Sequence, residues 1–107
     1  MPEIVGEFEQ LVMLALLRQE AEAYGMSLAA DITERTGRDV SIGAVYKALD
    51  RLAAKGWVLS RVGEPTPERG GRRKKYFRLS GSGQRALRQS LAALRSMTEG
   101  LEAAFKV

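Results

Sequence analysis

The sequence predicts a mainly α fold, a winged helix-turn-helix of three short helices and a two-stranded wing, followed by a long C-terminal dimerisation helix. Three observations carry this. Apolar residues recur at helical spacing three times before residue 56. The period then shortens to that of strands on both sides of a loop bearing proline and glycine. A heptad spacing returns after residue 80. At 107 residues the chain fits one domain. Residues 1–79 read as the winged helix-turn-helix unit and 80–107 as the C-terminal helix, joined in one compact body.

The first helix is expected over residues 6–20, where Phe8, Leu11, Val12, Ala15 and Leu16 share one face. Met13, Leu14 and Leu17 spread the apolar surface nearly all round, the mark of a helix deep in a core or in a subunit interface. Residues 20–25 form a connector. The second helix runs from about Gly25 to Thr36, with Leu28, Ala29 and Ile32 inward and Gly37 placed to end it. The third runs from about Ile42 to Lys55, with Ser41 as its N-cap and Ile42, Val45, Leu49 and Leu52 as its buried stripe.

Beyond Gly56 come two short runs rich in β-branched and aromatic residues, Trp57–Val62 and Lys75–Leu79. The stretch from Gly63 to Arg72 holds two prolines and three glycines, and so reads as the hairpin loop of a wing. A last helix is expected from Ser80 or Ser82 to Phe105. Leu87, Leu91, Leu94, Thr98, Leu101 and Phe105 follow alternating spacings of four and three, a heptad seam with one polar position. Gly100 weakens that helix by roughly 1 kcal/mol relative to alanine. The seam and the surplus apolar surface of helix 1 point to a homodimer, with Phe8, Leu87, Leu91, Leu94, Leu101 and Phe105 at the interface. The alternative folds the last helix onto its own core.

Composition narrows the function. The chain has neither cysteine nor histidine, which removes disulfides, thiolate metal sites, the commonest general base and the commonest zinc ligand. No cofactor and no metal is expected. Without a recognisable carboxylate pair or glycine-rich phosphate loop, an enzyme is the weakest class. The N-terminus lacks the features of a signal peptide, and the longest apolar run, Leu11–Leu17, is too short to span a bilayer. A cytoplasmic protein with no membrane partner is expected.

Charge is unevenly spread. Residues 1–34 hold seven acids and one base, a net of −6, whereas the remainder holds six acids and 16 bases, a net of +10. The densest run, from Arg69 to Arg78, contains six cations and no acid. Such asymmetry suits a polyanion, here double-stranded DNA. On the expected third helix, at 100° per residue from Ile42, Lys47, Arg51, Ala44 and Lys55 fall at about 140°, 180°, 200° and 220°, opposite the apolar stripe. Like charges at that spacing cost a helix roughly 0.2–0.5 kcal/mol per pair, a cost that phosphate contact would offset.

Ser41, Gly43 and Ala44 keep the first turn small enough for close approach to DNA. Whether Lys47 and Arg51 meet bases or phosphates stays open. Tyr46, near 40°, can pack or reach a phosphate, and Tyr24 raises the same choice. In the wing, Arg69, Gly70, Gly71, Arg72 and Arg73 put arginines around a glycine tip suited to a narrow minor groove, and Lys74 and Lys75 follow on the outgoing strand. A winged helix can also dock proteins rather than DNA, although such a module needs no cationic outer face.

Several stretches together resemble the PadR family of bacterial transcriptional regulators. They are Gly6–Glu9, Ala23-Tyr24-Gly25, Thr36–Tyr46, Leu49–Leu52 with Lys55-Gly56, and Glu64–Leu79. The resemblance implies a repressor that dimerises through its C-terminal helix on a pseudo-palindromic operator, in some members released by a small aromatic or drug-like effector. With one helix after the wing, the chain resembles the short subgroup. Phe105 is the sole aromatic of that helix, which argues against an aromatic-lined effector pocket, and no residue identifies an effector.

Overall fold

The computed structural model describes residues 4–64 and 74–106. Its first helix, α1 (Glu7–Gln19), buries Val12, Met13, Ala15 and Leu16. Phe8, Leu11 and Leu14 are only partly covered and Leu17 is exposed, so α1 is not enclosed on every side. The segment before it is held by a buried hydrogen bond. The Val5 N–H donates to Ser90 Oγ at 2.9 Å, tying the two ends of the fold together.

A 3-10 turn at Glu20–Glu22 leads to Ala23, whose carbonyl accepts from the Phe77 N–H at 2.8 Å. This single antiparallel bridge, unforeseen in the sequence, adds a third edge to the wing. The next helix, α2 (Gly25–Thr36), starts where the Tyr24 N–H donates to Ser27 Oγ at 3.0 Å. That hydroxyl donates in turn to Gln19 Oε1 at 2.6 Å, which fixes the start of α2 against the end of α1. Gly37 ends α2 with φ at 76°.

The third helix, α3 (Ile42–Ala54), is capped as expected. Ser41 Oγ accepts from the Ala44 N–H at 3.1 Å. Its buried residues are Val45, Ala48, Leu49 and Leu52. Ile42, expected in that stripe, is 40% exposed and is corrected here. Ala48 takes its place, because a side chain that small lets the helix approach its neighbours closely. The inward face consequently turns by about 30° from the expected one.

Strand β1 (Val58–Val62) pairs antiparallel with β2 (Lys75–Leu79), in the register Val58 to Leu79 and Ser60 to Phe77. Val58, Phe77 and Leu79 face the core. The last helix, α4 (Gly81–Thr98), begins with Ser80 Oγ accepting from the Gly83 N–H at 3.0 Å. Gly83 lies so close to the Trp57 backbone that a Cβ there would sit 2.2 Å from its carbonyl oxygen, so only glycine lets α4 rest on the wing stem.

Two expectations about the C-terminal part are corrected. The helix ends at Thr98, not at Phe105. Glu99 is extended, Gly100 takes φ at 82°, and a separate 3-10 turn covers Glu102–Phe105. The heptad seam therefore does not continue through Leu101 and Phe105. Leu87 is 2% exposed within its own subunit's core, with no surface left for a partner, which removes it from the expected dimer seam. Leu91 packs partly on the same core.

Candidate nucleic-acid interface

The side of α3 that faces away from the core is set by its buried residues. Taking Val45, Ala48, Leu49 and Leu52 as centre, the outermost direction passes between Gly43 and Ala54, with Lys47 and Asp50 about 30° to either side. All four are exposed. Beyond its chain neighbours and the backbone of its own helix, no described atom lies within 4 Å of where a Gly43 Cβ would stand, so the first turn offers bare backbone.

The two flanks of that strip are built differently. Arg51 sits on the α1 side, and its Nε lies 2.9 Å from Glu9 Oε1. Beside it, Arg38 Nη1 lies 2.7 Å from Glu7 Oε1, with the guanidinium 5.9 Å from the centre of the Phe8 ring. Both arginines are about half exposed. Such pairs are worth at most about 1 kcal/mol and are screened by salt, so a phosphate can displace the carboxylate. Arg38 and its acid partner are 31 residues apart, beyond any spacing rule; the only sequence signal was the excess of acid before residue 35.

On the other flank stands Tyr46. It is half exposed, and its ring meets Phe77 edge-on at 6.2 Å. The ring covers Gly25, where a Cβ would fall 2.6 Å from the ring carbons and 2.7 Å from the hydroxyl oxygen. Glycine at the start of α2 is thus the seat on which the Tyr46 ring rests, packed on one side and exposed on the rest.

The wing stem carries cations stacked on aromatic rings. Lys74 Nζ lies 4.3 Å from the centre of the Tyr24 ring, Tyr24 meets Tyr76 edge-on at 6.1 Å, and the Arg61 guanidinium lies 4.5 Å from the Tyr76 ring. Arg61 also donates to the Ala21 carbonyl at 3.1 Å. Lys75 and Lys55 stand over Phe77 and Trp57 at 5.7 and 4.8 Å. These contacts keep the ammonium and guanidinium groups at the surface while anchoring their stems. The Gly63 N–H donates to the Lys74 carbonyl at 2.7 Å and closes the ladder. The partly buried Tyr24 ring packs against Tyr76 and carries Lys74. Arg69, Gly70, Gly71, Arg72 and Arg73 lie outside the described residues.

Elsewhere, an open, mainly apolar groove of about 410 Å³ runs between α1 and α2, lined by Leu11, Leu14, Leu17 and Ile32 with Arg18 and Arg35 at its rim. Among the described residues, no helix is long and apolar enough to cross a membrane.

Comparison with known proteins gives the family. The fold matches a PadR family transcriptional regulator from Eggerthella lenta at 25% identity and a TM-score of 0.71, covering 94% of this chain and 88% of that one. A PadR family transcription regulator from Clostridium difficile matches at 23% identity and 0.70, covering 92% of this chain and 99% of that one. The PcaV transcriptional regulator from Streptomyces coelicolor, solved in complex with its natural ligand, matches at 20% and 0.68, covering 98% of this chain and 66% of that one. No curated protein sequence matches significantly. Residues 13–89, which hold α1 from Met13 onward, α2, α3, the wing and the start of α4, match the transcriptional regulator PadR-like family. The chain belongs to that family of transcription regulators.

Proposed function

We propose that the protein represses transcription as a homodimer that binds double-stranded DNA at a pseudo-palindromic operator. In this reading α3 enters the major groove, the wing lies beside it, and residues 1–79 form the DNA-binding unit to which 80–107 add the dimer contact. The observation that carries it is the surface of α3. Its outward strip is clear of large apolar side chains and holds Lys47, and Arg51 and the stacked cations of the wing stem flank it.

Ser41, Gly43 and Ala44 bring backbone close to a phosphate, Tyr46 presents the exposed part of its ring, and Lys47 and Arg51 supply charge. Lys74, Lys75 and the arginine-glycine run Arg69, Gly70, Gly71, Arg72 and Arg73 extend the contact to the minor groove. Tyr24 supports Lys74 rather than touching DNA. The operator places the protein in the cytoplasm.

The dimer reading rests on surface left uncovered. Leu94, Met97, Leu101 and Phe105 form an exposed apolar group at the C-terminal end, and Phe8 and Leu91 are only partly covered. A second copy would remove this surface from water. The two copies of α3 would then meet major grooves about 34–36 Å apart.

Titration of a fluorescent duplex pool against salt tests the reading. A dimer with 6–10 phosphate contacts loses on the order of 10³–10⁵ in affinity between 50 and 200 mM salt. No binding at low salt, or binding indifferent to salt, would overturn it. A small-molecule effector is a second reading, favoured by the apolar groove between α1 and α2. A dye displaced from that groove, without any change in operator affinity, would separate mere binding from regulation.

A further inference from the structure

The outward strip of α3 holds one group that neither the core nor the cationic surface explains. Asp50 is exposed, and among the described residues it has no hydrogen bond or ion pair, although Lys47 stands one turn before it. With the inward face centred on Val45, Ala48, Leu49 and Leu52, Asp50 and Lys47 lie equally near the outermost direction, each about 30° from it. Arg51 and Tyr46 are turned to the flanks, each about 110° from the core centre. The side chains that reach deepest into a groove are therefore one ammonium and one carboxylate, with Gly43 and Ala54 clearing the space along the strip.

A carboxylate facing DNA has few uses. It cannot accept from a phosphate and is repelled by it. In the major groove, guanine shows N7 and O6, both acceptors, and thymine shows O4, another acceptor. Adenine pairs its N6 donor with the N7 acceptor next to it, which repels an anion. Cytosine alone offers an amino donor with no adjacent ring acceptor, and Asp or Glu accepting from cytosine N4 is a known pairing. Its partner guanine, in the same base pair, exposes the acceptors that a lysine beside the carboxylate can satisfy.

We infer that Asp50 is a specificity-determining residue. Its carboxylate accepts from cytosine N4 while Lys47 donates to guanine O6 or N7, so each half-site carries a G·C pair beneath the middle of α3. The inference rests on the DNA-binding reading above and adds a base to it. The same carboxylate lowers affinity for unrelated duplexes by repelling their phosphates, so one group both selects and rejects.

Selection from a randomised duplex library, followed by anisotropy at fixed salt, tests this with the full chain and its D50A and D50N variants. The wild type should enrich a half-site in which one position prefers cytosine by about tenfold. D50A should weaken the preference at that position alone, leaving what Lys47 contributes through the paired guanine, and should bind unrelated duplexes more tightly. D50N should move the preference toward adenine, whose N6 and N7 match a carboxamide. A D50A or D50N motif identical to that of the wild type overturns the assignment, whatever happens to overall affinity. A wild type that enriches no duplex at all overturns the DNA reading itself. Because Asp50 is exposed and unbonded, both variants should keep the wild-type circular dichroism. If D50A alone fails to fold, the D50N motif decides between the two outcomes.

Discussion

Glu9 holds Arg51 at 2.9 Å with a side chain that is itself only 22% exposed. The pair fixes the arginine on the edge of α3 and tempers its charge. Glu9→Gln should free the guanidinium, tighten binding to duplex DNA severalfold at low salt, and steepen the salt dependence by about one contact. An unchanged slope would mean that Arg51 does not reach the backbone. A second residue-scale prediction concerns Gly25. Alanine there would meet the Tyr46 ring at 2.6 Å, and displacing that ring from Phe77 should cost about 1–3 kcal/mol. The check is the denaturant midpoint, with the slope unchanged.

At this scale the sequence showed the Ser41 cap, because the hydroxyl and the helix it starts are neighbours in the chain. It did not show the pairs Arg38–Glu7 and Arg51–Glu9, whose partners are 31 and 42 residues apart. Nor did it show Asp50 as an outward group, since that depends on how α3 is turned about its axis.

Among the elements, α1, α2, the two strands and the cap of α3 stand close to where their spacing and turn residues put them. Two features did not follow from spacing. Apolar positions in α3 repeat at three and four whether the stripe begins at Ile42 or at Val45, and alanine at 48 counts as weakly apolar in any pattern. Only contact with α1 and α2 decides between them. The heptad count through Leu101 and Phe105 likewise ignores what Gly100 does to the backbone, and the positive φ there ends the helix before the last heptad.

The exposed end of α4 carries its own prediction. Leu94→Glu should leave the fold intact, since Leu94 is 58% exposed, yet give monomers by light scattering and operator binding weaker by orders of magnitude. A dimer that survives would move the interface away from α4. By contrast Leu87→Ala, in the subunit's own core, should cost about 2–5 kcal/mol whatever the oligomeric state.

For the whole molecule, acid and base lie apart along the chain but meet in space beside α3. The acids of the first turn of α1 meet Arg51 of α3 and Arg38 just before it, so the N-terminal helix trims the positive field beside the groove while the wing stem leaves its cations outward. Removing both carboxylates, Glu7→Gln with Glu9→Gln, should raise affinity for all duplexes alike and lower the ratio of operator to unrelated DNA. Competition assays at two salt concentrations would show it, and an unchanged ratio would mean that the two acids play no part in selectivity.

The bridge from Phe77 to Ala23 has a thermodynamic consequence. Because the Phe77 amide is already bonded to the connector between α1 and α2 at 2.8 Å, the base of the wing holds its working arrangement without DNA. Its amide hydrogen should exchange with solvent at the same slow rate in the free and bound protein, opening only when the fold itself opens. The conformational entropy of that hairpin base is then lost during folding, and binding begins with that part of the grip already set.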